Sequence, residues 1–375
     1  MANPNHNNLV LITGCTGHIG FSTLLSALRA GHRVRAAVRS SSKASALLSH
    51  PVLRPYTSRL TTAVVPDLTA PGAYRSAVRG TTHVIHIASP LTTGAPYSWE
   101  HAQKTFIQPA VRGTLELLEA ARAEPRVRRV VITSSMVALV PLAQLEGRER
   151  RPASAGPVRP TDRIPLKPEP YETEFAAYAA SKVAALREAE AFMARDPRPH
   201  FDVVHVHPSF VLGRNGMAAE PRASLRGTNG IALGMALGRH LGNVAGASAH
   251  VEDVAAVHVK ALDAAAVPGG RSYIVSQRTR WEDVAATVRR RFADAVQKRL
   301  LVPTGSADTL DIELDASETE AIFGFAHRGI EDQVESVVGQ YLELRAQKRA
   351  GMRKGAGGDQ PRKAVGTCQQ VGVNA

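Results

Sequence analysis

The chain has 375 residues, 44% of them hydrophobic, with two cysteines and a formal net charge of +13. That length allows one large or two closely associated domains with a buried core, while two cysteines exclude a disulfide framework and fit a reducing compartment. The basic balance would suit nucleic acid if it formed a stripe interleaved with aromatics, but the excess is scattered or gathered at the C-terminus.

Met1–Asn8 is polar, has no hydrophobic signal region and is expected to be disordered. Leu9–Ile12 then reads as a strand running into Thr13-Gly14-Cys15-Thr16-Gly17-His18-Ile19-Gly20, a TGxxGxxG. An apolar-periodic helix follows through Phe21, Leu24, Leu25 and Leu28, stops at Gly31, and gives way to a strand over Arg33–Val38. Strand, glycine turn and helix in that order form a dinucleotide fingerprint. The glycines permit the turn, let backbone N–H groups reach a pyrophosphate and allow close helix–strand packing. An acidic residue about 20 positions further on would accept from a ribose 2′-hydroxyl. The chain offers Arg39-Ser40-Ser41-Ser42-Lys43 instead, and a guanidinium with an ammonium suits a 2′-phosphate. The cofactor expected is NADPH/NADP+.

Strands are predicted at Leu60–Val65, His83–Ile87, Val127–Thr133 and Phe201–His207, with a short helix at Pro71–Arg79. Trp99–Ala123 reads as a long helix kinked at Pro109, and Phe175–Arg195 as another. The alternation argues for a doubly wound parallel sheet in an α/β fold. Met136–Pro170, rich in Pro, Arg and Gly, reads as a long surface loop. In the second half, helices are expected at Val251–Ala264 and Trp281–Phe292, with a strand at Arg271–Val275 between them, and Ser317–Phe323 and Ile330–Arg345 close the folded part. Residues 345–375 hold seven Lys/Arg against one Asp, and beyond about Gln347 apolar periodicity is lost, so the tail is expected to be disordered. No apolar run approaches the roughly 18 residues of a membrane helix. A cytoplasmic protein without membrane or nucleic-acid partners, monomeric or homodimeric, is expected.

Tyr178-Ala179-Ala180-Ser181-Lys182 places a phenol and an ammonium one helical turn apart. A phenol titrates near 10, and a neighbouring ammonium favours its ionised form. Ser134 and Ser135 fall at the carboxyl end of a predicted strand, the edge where ligands of open α/β sheets bind. A serine there can bond a substrate carbonyl while the tyrosine protonates it. The strand histidines His83, His86, His205 and His207 are read as packing or backbone-bonding groups, and no spacing suggests a metal site.

Thr13–Gly20, Ser135, Tyr178 and Lys182, in this order and at these separations, resemble an extended short-chain dehydrogenase/reductase. Arg39 with Lys43, Asp67-Leu68, His86–Pro90, Gly113-Thr114, His207–Gly213 and His250–Ala255 narrow the resemblance to the dihydroflavonol 4-reductase-like branch. That branch includes fungal aldehyde and ketone reductases and cinnamoyl-CoA reductases. The resemblance implies a Rossmann-like NADP-binding domain over 9–215, holding the loop 136–170, and a smaller substrate-binding region over 216–346 ahead of the tail at 347–375. It implies that Gly14, Thr16, Gly17, His18 and Ile19 line the pyrophosphate turn and that Arg39 and Lys43 take the 2′-phosphate. Asp67 and Leu68 flank the adenine, and Ala88, Ser89 and Pro90 run beside the ribose. Pro208, Ser209, Phe210 and Val211 close over the nicotinamide. Ser135, Tyr178 and Lys182 are the implied catalytic residues, with Lys182 also holding ribose hydroxyls. The chain departs from the pattern where an asparagine often stands on the helix before the fifth strand; it has Phe106-Ile107-Gln108-Pro109 there.

The activity expected is NADPH-dependent reduction of a small-molecule ketone or aldehyde, of moderately hydrophobic or aromatic character, such as secondary metabolism supplies. Three rival readings share parts of the pattern. A nucleotide-sugar epimerase or dehydratase would use Arg214, Arg222, Arg226 or Arg239 on a diphosphate, although Met136-Val137-Ala138 lacks the acidic residues a dehydratase wants. A 3β-hydroxysteroid-type dehydrogenase would prefer an acidic residue where Arg39 stands. A non-catalytic NADPH-binding protein would typically lack the Tyr/Lys pair.

Overall fold

A computed structural model describes residues 8–92 and 97–356. The first half alternates β1 (Leu9–Thr13), α1 (His18–Arg29), β2 (Arg33–Val38), α2 (Ser41–Leu48), β3 (Leu60–Val64), α3 (Arg75–Val78), β4 (His83–His86), α4 (Gln108–Arg122) and β5 (Arg129–Thr133). It continues through α5 (Leu142–Leu145), α6 (Glu174–Met193) and β6 (Asp202–Pro208). The second half runs β7 (Phe210–Leu212), α7 (Asn229–Ala236), β8 (His240–Ala245), β9 (Ala247–His250), α8 (Val251–Lys260) and β10 (Arg271–Val275). It closes with β11 (Gln277–Arg278), α9 (Glu282–Arg291), α10 (Ala293–Gln297), β12 (Ser306–Leu310), α11 (Ser317–Phe323) and α12 (Ile330–Ala356).

Seven parallel strands form the central sheet in the order β10-β6-β5-β4-β1-β2-β3. The chain reverses direction across the sheet between β1 and β4, the crevice where a doubly wound sheet receives its ligand. Both faces are covered, so the strands read as continuous apolar runs. Along β1, Val10 and Ile12 join the core under α1 and α8, whereas Leu11 joins the core shared by α4 and α6. Among the described residues no helix is long and apolar enough to cross a membrane.

The expected division at residue 215 needs correcting. α8 packs on α1, and β10 completes the central sheet beside β6, so the chain returns to the nucleotide fold after leaving it. The intervening and later elements build the smaller region, with the short sheets β11-β9-β7 and β12-β8 and a core around fully buried Trp281. These strands, of two to six residues, carry too few alternations to show a period.

The segment 136–170 departs from a surface loop in its first ten residues and is mostly exposed after them. Met136–Val140 is a buried run packed with Ala179, Leu186 and Ile312, followed by α5 and a bridge from Val158 to Leu314. Its apolar residues are contiguous, which leaves neither helical nor strand periodicity to read. Pro109 does mark a break: a π-helical turn at Gln103–Ile107 ends where α4 begins, with the proline in its first turn. At the ends, Asn8 is placed, its carbonyl accepting from Arg33 N, while residues 1–7 and 357–375 lie outside the described residues. α12 runs through Ala356, so the tail does not begin at 347. Arg345 donates to Leu300 O at 2.9 Å and Lys348 stands 3.8 Å from Glu220. Alanine, glutamine, lysine and arginine carry this helix by propensity where apolar period has lapsed.

Arg129, at the start of β5, is 1% exposed. Its Nε and Nη2 donate to the two oxygens of Asp202 at 2.6 and 2.8 Å, and Nη1 donates to Ala261 O and Val267 O, both at 2.8 Å. It therefore ties β5 to β6 and to the end of α8. Arg129→Ala strands Asp202 and two carbonyls, and should lower the free energy of unfolding in urea by about 3 kcal/mol. A change below about 0.5 kcal/mol, the usual range of a surface substitution, would show that these bonds contribute little.

Candidate active site

The glycine turn is built by backbone crowding. Gly14 has φ +75°, and a Cβ there would stand 2.9 Å from Ala88 N. A Cβ on Gly20 would fall 2.0 Å from Gly14 O. Gly17 caps α1 without a side chain and is exposed, which leaves the first-turn N–H groups of the helix open to an anion. Thr13 was given no role in the sequence, yet its Oγ1 accepts from Ile87 N and Ala88 N, each at 3.0 Å, and pairs with His86 Nδ1 at 3.0 Å. With both N–H groups donating to it, the hydroxyl hydrogen goes to the histidine. This pins β4 to β1 at the rim of the crevice. The only legible signal was a threonine closing the first strand.

The remaining cofactor candidates surround this cradle. Thr16, His18 and Ile19 are half-buried, and His18 Nε2 pairs with Gly213 O at 3.0 Å, so its ring is engaged across the cleft. Arg39 and Lys43 are exposed at the end of β2 and in the first turn of α2, with no side-chain partner among the described residues. Ser40 caps that helix, accepting from Lys43 N at 3.3 Å. Asp67 turns its carboxylate onto Thr69 N and Oγ1 at 2.8 and 2.7 Å, while Leu68 packs on Gly113, leaving no room for a Cβ there. Pro208 ends β6 opposite Val275, and Ser209 spends its N–H and hydroxyl on Val275 O. Val211 is buried in β7. A cradle that any Cβ would fill, an open helix N-terminus and two unpaired cations suit a phosphorylated dinucleotide.

The three catalytic candidates meet at the carboxyl end of β5. Ser135 follows the strand, 8% exposed, and its Oγ accepts from Val137 N at 3.3 Å as the cap of a 3₁₀ turn. α6 is rich in alanine, begins at Thr173, whose Oγ1 accepts from Ala176 N at 3.0 Å, and is buried on most of its circumference. It presents Tyr178 toward Ser135, whose hydroxyl favours the ionised phenol. Lys182, one turn on, is 6% exposed, donates to Thr133 O at 3.4 Å and lies 5.8 Å from the Tyr178 ring centre. Burial pushes Lys182 down to about 8 and raises Tyr178 above the ordinary phenol value, with the Ser135 hydroxyl pulling the other way. The expected lowering of Tyr178 by the ammonium does not dominate; desolvation does.

Where the sequence lacks the expected asparagine, Phe106 and Ile107 are buried against Ala177, Ala180 and Ala184. Polar groups gather nearer the lysine instead: a cavity of about 20 Å³ is lined by Lys182, Ser134, Thr114, His86 and His205. Ala88 and Ser89 line the same cavity, which brings the predicted ribose strip to the lysine. Of the four arginines considered for a sugar diphosphate, Arg214 is paired bidentately with Glu343 at 2.6 and 2.8 Å.

Residues 10–276 match the model of the NAD dependent epimerase/dehydratase family. The chain is 39% identical over 354 residues to the ketoreductase CTB6 of Cercospora beticola, covering 90% of this chain and 96% of that protein. It is 34% identical to the NAD-dependent epimerase/dehydratase ALT6 of Alternaria alternata, covering 91% and 99%. The crystal structure of yeast methylglyoxal/isovaleraldehyde reductase Gre2 complexed with NADPH superposes with a TM-score of 0.76 at 22% identity, covering 90% and 99%, a likeness of fold. The glycine cradle, the seven-stranded sheet and these matches agree: the chain belongs to the NAD-dependent epimerase/dehydratase family, the extended short-chain dehydrogenases/reductases.

Proposed function

We propose that the chain reduces a ketone or aldehyde to the alcohol with NADPH. The observation that carries this is the meeting of Ser135, Tyr178 and the buried Lys182 at the carboxyl edge of the sheet beside the glycine cradle. When bound, NADPH supplies the hydride. Ser135 donates to the carbonyl oxygen and orients it, and Tyr178 delivers its phenolic proton as charge develops there. A phenol kept protonated by burial suits a proton donor better than a base. Lys182 holds positive charge behind the phenol and has a second role on the ribose hydroxyls. The ketoreductase names among the curated relatives support the same chemistry, and the engagement of Arg214 by Glu343 counts against a sugar-diphosphate site. The test is oxidation of NADPH against aldehydes, α-diketones, flavanonols and polyketide ketones. Loss of cofactor absorbance with none of them would refute the reduction proposed only if NADPH binds and stays unreacted throughout.

Cofactor choice rests on Arg39 and Lys43. Arg39→Asp removes a charge-assisted contact to a 2′-phosphate and places a carboxylate beside it. NADPH affinity should fall about tenfold to a hundredfold, corresponding to roughly 1.5–3 kcal/mol, with a much smaller change for NADH. Calorimetric titration of both cofactors checks this, and equal losses would contradict the 2′-phosphate role.

A further inference from the structure

Arg163 lies at the surface in the segment 136–170, away from the cofactor cradle, and bonds to its own turn, to α6 and to β10. Nη1 donates to Pro160 O and Asp162 O at 2.9 and 2.7 Å, Nε to Glu190 on α6 at 2.8 Å, and Nη2 to Ser272 Oγ on β10 at 3.2 Å. A guanidinium can only donate, so Ser272 accepts here and keeps its own hydrogen to give. That hydroxyl lies 3.1 Å from His207 Nε2. The other ring nitrogen, His207 Nδ1, lies 3.3 Å from the carbonyl oxygen of Ser135, which can only accept. The proton on His207 must therefore sit on Nδ1, with Nε2 bare and accepting from Ser272.

Every donor points the same way along this path. His207 is fully buried, and the charged groups around it oppose its ionisation: Arg163 beyond Ser272, Lys182 on α6, and His205, whose ring centre is 6.3 Å away on the same strand. Glu190 is taken up by Arg163. Ser135 itself is extended, with φ −166° and ψ 158°. Its hydroxyl accepts from Val137 N, and the preceding N–H, of Ser134, donates to Val206 O at 2.8 Å. The Ser135 carbonyl, the remaining handle on its orientation, accepts from Ala138 N at 3.0 Å within the 3₁₀ turn and from His207 Nδ1, the one side chain among the described residues that reaches it.

We infer that Arg163, Ser272 and His207 form a positioning chain for Ser135, in which the arginine fixes the serine hydroxyl, the hydroxyl fixes the histidine tautomer, and Nδ1–H fixes the peptide that aims the catalytic hydroxyl. The inference rests on Ser135 being the carbonyl-orienting group. It gives the segment 136–170 a role at the reacting end of the sheet: its arginine sets the polarity of a path ending on the catalytic serine. None of the three residues touches the substrate, so loss of the chain affects the geometry of reaction rather than binding, and small misplacements of a reacting group are costly.

Two measurements test it. In the full-length protein labelled with ¹⁵N-histidine, the His207 signal, identified by its absence in His207→Gln, should show a protonated Nδ1 and a bare Nε2. Ser272→Ala should lower kcat about tenfold with KM and cofactor affinity unchanged, Arg163→Met should lower it in the same sense, and Ser272→Thr, which keeps a hydroxyl, should restore it. A proton on Nε2, native kcat in Ser272→Ala, or a threonine variant as slow as the alanine one would overturn the chain; native kcat in Arg163→Met would remove the arginine from it. Should the native protein reduce no carbonyl at all, the proposed activity fails on that result alone, and the tautomer still decides the polarity of the path.

Discussion

Tyr178→Phe should lower carbonyl reduction by about 10²–10⁴-fold, the usual worth of one positioned acid. The ring and its stacking on Phe175, with centres 6.4 Å apart, are kept, and only the hydroxyl is removed. The protein should therefore stay folded and should bind NADPH with native affinity, because Gly14, Gly17 and Arg39 are untouched. Steady-state turnover with a carbonyl from the screen, and separate cofactor titration, check the two halves of this expectation. Near-native turnover would mean that the proton comes from elsewhere. Equal losses in turnover and cofactor affinity would mean that the residue serves binding.

Lys182→Ala should reduce turnover by a comparable factor and also weaken the cofactor, since one ammonium serves both. Combined with Tyr178→Phe, it should cost less than the product of the two separate losses, because the residues act as a unit. The pH dependence carries a definite sign. Burial holds Lys182 at about 8 in the cofactor-free protein, so the ammonium is present below that pH and is lost as pH rises through it. The kcat/KM for reduction, which reports the free enzyme, should fall above about pH 8. Stability should run the other way over this window. The unfolded chain keeps the lysine proton up to about 10.4, so between about 8 and 10.4 it binds more protons than the folded chain, and folding gains as pH rises. A reductase whose kcat/KM stays level from pH 7 to 10 would contradict the role given to the ammonium.

The candidate site was legible as an arrangement because its residues are written in short, ordered motifs. Gly14 and Gly20 are demanded by backbone contacts with no substitute, and Tyr178 and Lys182 lie one turn apart on a long alanine-rich helix. Thr13 and His207 were visible as letters but not as functions. Their roles depend on which neighbours β4, β5 and β10 bring alongside, and strand pairing is not encoded in a local pattern. Arg163 was harder still, lying in a proline-rich stretch without period, 109 residues before the Ser272 hydroxyl it bonds. The return of α8 and β10 to the nucleotide fold escaped for the same reason: Val251–Lys260 and Arg271–Val275 were recognised as helix and strand, but local sequence does not say which sheet a strand joins. The direction of the Tyr178 shift needed the depth of burial, which the helix pattern alone does not give.

The most direct test of hydride reduction at this site follows the hydrogen itself. NADPH carrying deuterium at the transferable position of the nicotinamide is incubated with the native protein and a carbonyl found by the screen, and the product is analysed by mass spectrometry. An alcohol bearing one deuterium on the former carbonyl carbon, formed in step with NADP+ and nearly abolished by Tyr178→Phe, is the expected result. Cofactor consumed with no deuterium in the alcohol, or a nucleotide sugar epimerised with no net change in the cofactor while every carbonyl is left intact, would contradict it.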